Sequence, residues 1–297
     1  MASDTTLAVA GTHSELQGRS LWGDAFHRLS RNRLALAGMV VVITMAVMTF
    51  MPGIRRYDPY NDQDRRATYQ SPSTKHWLGT DNLGRDNWSR VITGTRISLE
   101  VGMLTQLVVV VLGLAVGSIA ALGGRWLDNL MMRFTDIAYA FPDLLLIILL
   151  QSVFGRGLWQ VILAISLVAW TTIARIVRGQ MLSLKERDYV LAARALGAPQ
   201  WQIVTRHLLP NTLGPVIVAV TFGIPTAIFS EAVLTFIGLG LKPPTASLGR
   251  LVADGRDLVE RNAWIIASPA VIISLLMLSF TFLGDGMRDA LDPKADR

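Results

Sequence analysis

The chain has 297 residues, 51% of them hydrophobic and only 17% charged, with a formal net charge of +6 and a mean hydropathy of +0.41. A soluble domain carries nearer a quarter charged residues, so a soluble fold is excluded. Cysteine is absent, which removes disulfides and thiolate metal sites, and the four histidines (His13, His27, His76, His207) show no metal-ligand spacing. The arginines are scattered between apolar runs, so the positive charge does not point to nucleic acid.

In chain order, residues 1–33 read as a polar tail. Within it, 20–33 is predicted to form a short amphipathic helix at the membrane interface, with Leu21, Trp22, Phe26 and Leu29 on one side. The first apolar run starts only at Leu34, too late for a cleavable signal. A bilayer core of about 30 Å needs about 20 helical residues at roughly 1.5 Å each. That ruler predicts six transmembrane helices, at 34–54, 101–124, 134–155, 157–174, 212–236 and 263–284. The first span, an outer loop and elbow at 55–100, a five-span core at 101–284 and a tail at 285–297 complete the organisation. The fold class is therefore an all-α integral membrane protein, and six spans place both termini on one side.

Several residues inside or beside the spans stand out. Glu231 is a costly charge within the fifth span; it either lines a path or latches onto a neighbouring helix. Asp143 is expected at the interface, one turn into the third span. Pro142 and Pro225 are expected to kink their helices, with Pro225 a gating candidate. Gly113 and Gly117 form a small-xxx-small pair that permits close packing, either internally or against a partner. The segment 237–262, with Pro243-Pro244 and a helical-looking 248–260, is expected to cap the pore outside.

The polar stretch 186–210 carries the most information. It reads as a short helix, a stop at Gly197, a second short helix starting at Pro199, and a stop at Pro210. A polytopic chain has little reason to build such an elbow unless something docks on it. No phosphate-binding loop of the form G-x-x-x-x-G-K-[ST] occurs, so this chain is not expected to bind or split ATP. No catalytic residue, metal site or cofactor is predicted.

Ala192-Ala193-x-x-x-Gly197, with Leu209-Pro210 twelve residues after the glycine, resembles the EAA loop of bacterial ABC importer permeases. Four other segments are similar to the dipeptide/oligopeptide/nickel group of that family. They are the run 76–86 with Ser89-Arg90 and 94–99; 128–142, containing Met132-Arg133 and Phe141-Pro142; 230–240 with Pro243-Pro244 and Ser247-x-Gly249; and 284–293. Their order and the long loop after the first span resemble the second, C-type permease. Leu191 and Leu248 depart from the pattern, standing where the family has Glu and often Trp.

The resemblance implies a type I importer permease fold with a cytoplasmic coupling helix. The chain would form half of a path for di- or oligopeptides, in the bacterial inner membrane, with both termini cytoplasmic; the Lys and Arg bias across the spans is too slight to fix this orientation. Implied partners are a homologous second permease, two ATPase subunits holding ATP and Mg, and an extracytoplasmic solute-binding protein. Leu191, Ala192, Ala193, Gly197, Ala198, Trp201, Leu209 and Pro210 would dock the ATPase, with Ala195, Ile203 and Val204 adding contact area. Leu191 would forgo one ion pair there. Arg85, Asp86, Arg90, Arg96, Pro243 and Pro244 either meet the binding protein or, for the charged four, hold a folded elbow by local ion pairs. Nickel, glutathione or another small solute is the alternative cargo. A secondary transporter would need inverted repeats and a membrane enzyme a cluster of acids or bases at one depth, and neither is visible.

Overall fold

The structure, a computed structural model, describes residues 21–51 and 53–292, apart from the side chains of Leu21 and Trp22. Of the predicted tails at 1–33 and 285–297, residues 1–20 and 293–297 lie outside the described residues. The helices are α1 (Leu21–Leu29), α2 (Arg33–Phe50), α3 (Asn87–Leu122), α4 (Gly124–Ala140), α5 (Asp143–Phe154), α6 (Leu158–Lys185), α7 (Asp188–Ala195), α8 (Gln200–Ile203), α9 (Leu209–Phe236), α10 (Leu248–Gly255) and α11 (Ala263–Leu291). Five are long and apolar enough to cross a membrane: α2, α3, α6, the run Gln200–Phe236 and α11. A sixth results if α4 and α5 are taken as one bent span.

Helix α3 is the axis of the molecule, 36 residues long and so about 54 Å. It begins at Asn87, earlier than hydropathy indicates. Its opening turns carry Arg90, Arg96 and Glu100, which hide them in a loop-like composition. Asp86 caps them by accepting from the Ser89 N–H at 2.8 Å. Helix α6 likewise runs past 174 to Lys185. Its extra turns place Arg178 in a bidentate ion pair with Asp128 and Arg175 at 2.8 Å from Asp136, both acids on α4.

Lipid tails are as apolar as leucine, so spans associate by close packing rather than by exclusion from water. Gly113 and Gly117 permit it. A Cβ at Gly113 would sit 2.5 Å from Ile173 Cγ2, and one at Gly117 2.6 Å from the Ala174 carbonyl oxygen. The small-residue pair therefore packs α3 on α6 inside the chain. Gly38 does the same for α2 against the Ser279 carbonyl of α11, also at 2.5 Å.

The third span, expected over 134–155 with a kink at Pro142, is bent more sharply than a kinked helix. It breaks by 92° between α4 and α5. Phe141 precedes a proline, which disfavours helical backbone, and both Phe141 and Pro142 are extended (ψ 140° and 123°). Pro142 thus ends one helix and starts another. Pro225 lies within an uninterrupted α9 and is buried.

The two ends of α3 define two ends of the bundle. At its C-terminal end, Ala121 clusters with Met181, Val190, Ile203 and Leu208 beneath α7 and α8; this is the elbow end. At its N-terminal end, Gly94 lies directly under the backbone of Ser247 and Leu248, the start of α10; this is the loop end. The Arg28 guanidinium donates to the Asp292 carbonyl at 3.1 Å, joining α1 to the end of α11. Leu291 shares a surface hollow with Gly214 near the start of α9, so both described ends of the chain lie at the elbow end.

Candidate functional site

The elbow is built by backbone geometry. Gly197 has φ +83°, and the Ala198 N–H donates to the Ala193 carbonyl while the Gly197 N–H donates to the Arg194 carbonyl, both at 3.0 Å. This pair of bonds is a Schellman closure of α7. It explains the spacing Ala193-x-x-x-Gly197: one residue supplies the carbonyl that anchors the turn, the other the left-handed backbone. A Cβ at Gly197 meets nothing within 4 Å, so conformation rather than space demands glycine.

Pro210 is not the stop that the sequence indicates. Helix α8 passes through a π turn, Val204–Leu208, straight into α9. The Leu209 N–H donates to the Val204 carbonyl, one residue further back than in an α-helix. The widened turn gives room to the Pro210 ring, which would otherwise press on the carbonyl four residues earlier. Asn211 Nδ2 donates to the His207 carbonyl at 2.6 Å, satisfying an acceptor in the disturbed turn. The second arm of the elbow is consequently one rigid body with a membrane span.

Side chains sort into anchors and a free face. Val190, Ile203 and Leu208 are buried in the cluster with Ala121 and Met181, while Ala198 and Leu209 pack half-buried at its edge. Leu191, Ala192, Ala195 and Pro210 are exposed, and Ala193 is half-exposed. Trp201 is 68% exposed and Leu196, beside the closing glycine, is 88% exposed. The expected contact area therefore needs correcting. Ile203 is an anchor with 5% exposure, Val204 is half-buried, and Leu196 and Tyr189 take their place on the free face. The sequence held a signal for this, since Tyr189, Ala192, Ala193 and Leu196 follow the i, i+3, i+4, i+7 rule for one helical face.

At the loop end, charges alternate in a chain. Asp81 Oδ2 lies 2.7 Å from Arg85 and 2.6 Å from Arg90, Arg90 lies 2.9 Å from Asp254, and Asp254 lies 2.9 Å from Arg250. Asp86 lies 2.9 Å from His76 Nδ1 and also accepts from Ser89. Arg85, Asp86 and Arg90 are all buried. They brace the loop against α3 and α10 and offer no free charge. Pro243 and Pro244 are exposed.

Glu231 is fully buried and accepts from Thr235 Oγ1 at 2.8 Å and from Ser98 Oγ at 3.2 Å. Ser98 is on α3 and also accepts from the Leu248 N–H at 3.4 Å. The carboxyl thus joins α9, α3 and the start of α10, which is the latch alternative rather than path lining. The bend at Phe141-Pro142 places Asp143 in the wall of a cavity between α3, α5, α6 and α9. Among the described residues no group of three or more His, Asp or Glu is placed to hold a metal ion.

Residues 113–297 match the sequence profile of the family described as "binding-protein-dependent transport system inner membrane component". The chain belongs to this family of transport permeases. Residues 20–72 of the permease match a second profile, the N-terminal TM domain of oligopeptide transport permease C. The permease is 41% identical over 276 residues to the oligopeptide transport system permease protein OppC of Bacillus subtilis (strain 168), covering 93% of this chain and 90% of the relative. It is 42% identical over 277 residues to the dipeptide transport system permease protein DppC of the same organism, covering 92% and 86%. Among solved structures it resembles a chain of the MetNI methionine ABC transporter in inward-facing conformations, with TM-score 0.57 and 22% identity over 68% of this chain and 96% of that one. The fold is that of a type I importer permease in a multi-pass membrane protein.

Proposed function

We propose that this permease forms one half of an ATP-driven import path for di- or oligopeptides. A homologous second permease supplies the other half. Two separate ATP-binding-cassette subunits hold ATP and Mg and dock on the elbow, and an extracytoplasmic solute-binding protein delivers the cargo to the loop end. The elbow end, with both described ends of the chain, then faces the cytoplasm of a bacterium, and the chain itself needs no cofactor.

The observation that carries this reading is the elbow: an exposed apolar face formed by Tyr189, Leu191, Leu196 and Trp201 on a scaffold locked by a Schellman turn and continuous with α9. An exposed apolar face on a polar connection is a contact surface awaiting a partner. Because α8 and α9 are one helix, displacement of the docked subunit is transmitted to the span as rigid-body motion. The peptide cargo is supported by the names of the relatives.

The test is purification of the tagged permease from its own membranes in mild detergent, with mass spectrometry of the accompanying chains. Recovery of ATPase subunits and a second permease is expected, and the companion binding protein then reports the cargo. A stable homo-oligomer with no ATPase would overturn the proposal.

A further inference from the structure

The cavity between α3, α5, α6 and α9 has a volume of about 250 Å3. Its wall is aliphatic and aromatic except for small backbone patches and five polar residues: Gln106, Asp143, Thr172, Thr226 and Ser230. Gln106 lies near the middle of α3, Thr172 near the middle of α6 and Phe222, also in the wall, near the middle of α9. Three spanning helices therefore put the cavity close to half their length, far from either end of the bundle.

Asp143 is the only ionisable residue in that wall. It is the first residue of α5 and reaches this depth because the chain turns by 92° at Phe141-Pro142. Three other acids of the bundle have partners. Asp128 and Asp136 pair with arginines, and Glu231 takes hydroxyl hydrogens. Among the described residues Asp143 has no ion pair and no side-chain hydrogen bond, and its side chain is exposed to the cavity. A first-turn acid gains from the helix dipole, but that gain is several-fold smaller than the cost of a carboxylate deep in a bilayer. Helix capping alone thus does not explain its position. Intramembrane charges that face a polar cavity mark solute pathways.

We infer that Asp143 contacts the passing solute and holds its cationic group, an ammonium or guanidinium, at mid-depth in the path. Gln106, Thr172, Thr226 and Ser230 supply neutral hydrogen-bonding groups around it. The inference rests on the peptide-import reading above, since a peptide brings an α-ammonium and often a basic side chain.

The test uses the complete transporter, with its ATPases and binding protein, reconstituted in liposomes. ATP-driven uptake of lysine-, alanine- and glutamate-containing tripeptides is compared for the parent chain, Asp143→Asn and Asp143→Glu. Loss of one ion-pair contact in a partly hydrated site is expected to cut uptake of the lysine peptide about threefold to fivefold more than that of the glutamate peptide in Asp143→Asn. Asp143→Glu restores the preference. Equal effects on all three peptides, no effect, or loss of all uptake in Asp143→Glu as well would overturn the inference while leaving peptide import standing. If the parent chain carries none of the three, the import reading fails first and this inference falls with it.

Discussion

Gly197 and its neighbours show how single residues divide the labour of the elbow. A left-handed backbone costs a residue with a Cβ about 1–2 kcal/mol, and at Gly197 no crowding adds to that. Gly197→Ala is therefore expected to loosen the Schellman closure and lower uptake about tenfold, while Gly197→Asn, whose side chain tolerates this geometry, loses less. Equal, undiminished uptake by both variants would sink the argument. The exposed and buried apolar residues give a crossed prediction. Leu196→Ala and Trp201→Ala leave the isolated chain's melting temperature unchanged but weaken ATPase retention, by about 30-fold for a hot-spot loss of about 2 kcal/mol. Ile203→Ala does the reverse, destabilising the chain itself by about 2–5 kcal/mol through an unfilled site in the cluster beneath the elbow. Melting curves and co-purified ATPase, measured together, distinguish the two classes. Leu191 belongs to the exposed class, so apolar surface stands where the resemblance implies a glutamate.

At the scale of elements, what was readable follows from which force fixed each helix. Uncharged runs located α2, α11 and the centres of α3, α6 and α9, because the bilayer imposes their length. Hydropathy missed the first turns of α3 and the last turns of α6. There the helix persists because Arg90 and Arg178 find carboxylates within the protein, at Asp81 and Asp128, and a hydropathy window reads such paired charges as loop. Pro142 was visible as a kink, but its 92° angle depends on how α4 lies across α6 through Asp128, Asp136 and the stacking of Phe134 on Trp170. Pro210 misled for the opposite reason, since a π turn accommodates the ring and the helix continues. The α3–α6 contact yields a prediction of its own. Gly113→Leu places a side chain where even a Cβ would lie 2.5 Å from Ile173. Overpacking of this kind costs about 1–3 kcal/mol, so the variant is expected to insert in the membrane and melt several degrees lower. Gly179→Leu, at a glycine on α6 with open space around it, is the control and melts like the parent. Similar melting of both variants would mean that the helices do not meet as described.

At the scale of the whole molecule, the two ends of the bundle are held by different chemistry. The elbow end is fastened by apolar anchors, whereas the loop end is fastened by the sequence of charges Arg85, Asp81, Arg90, Asp254 and Arg250. This series connects the loop at 53–86 to α3 and α3 to α10, so the loop end is braced as one piece. Its energetics depend on who is left behind when a member is removed. Asp81→Asn strands Arg85 without its partner and leaves Arg90 with Asp254 alone, both side chains being buried. Breaking a buried pair by removing one partner costs about 3–5 kcal/mol, because an uncompensated charge remains in a low-dielectric site. Arg90→Met removes the middle member instead. Asp81 keeps Arg85 and Asp254 keeps Arg250, so no carboxylate is orphaned, and the Nε of Arg90, which has no hydrogen-bond acceptor, disappears. A buried charge replaced by a well-packed apolar chain of similar length is often close to neutral. Asp81→Asn is therefore expected to lower the melting temperature of the purified transporter far more than Arg90→Met. Arg90→Met in turn breaks the links of α3 to the loop and to α10, and is expected to show itself as faster proteolysis of 53–86 with the core intact. If Arg90→Met proved the more destabilising of the two, the charges would be acting as independent pairs centred on Arg90, and the rigid loop end would have to be attributed to Glu231 and the close contact of Gly94 with α10.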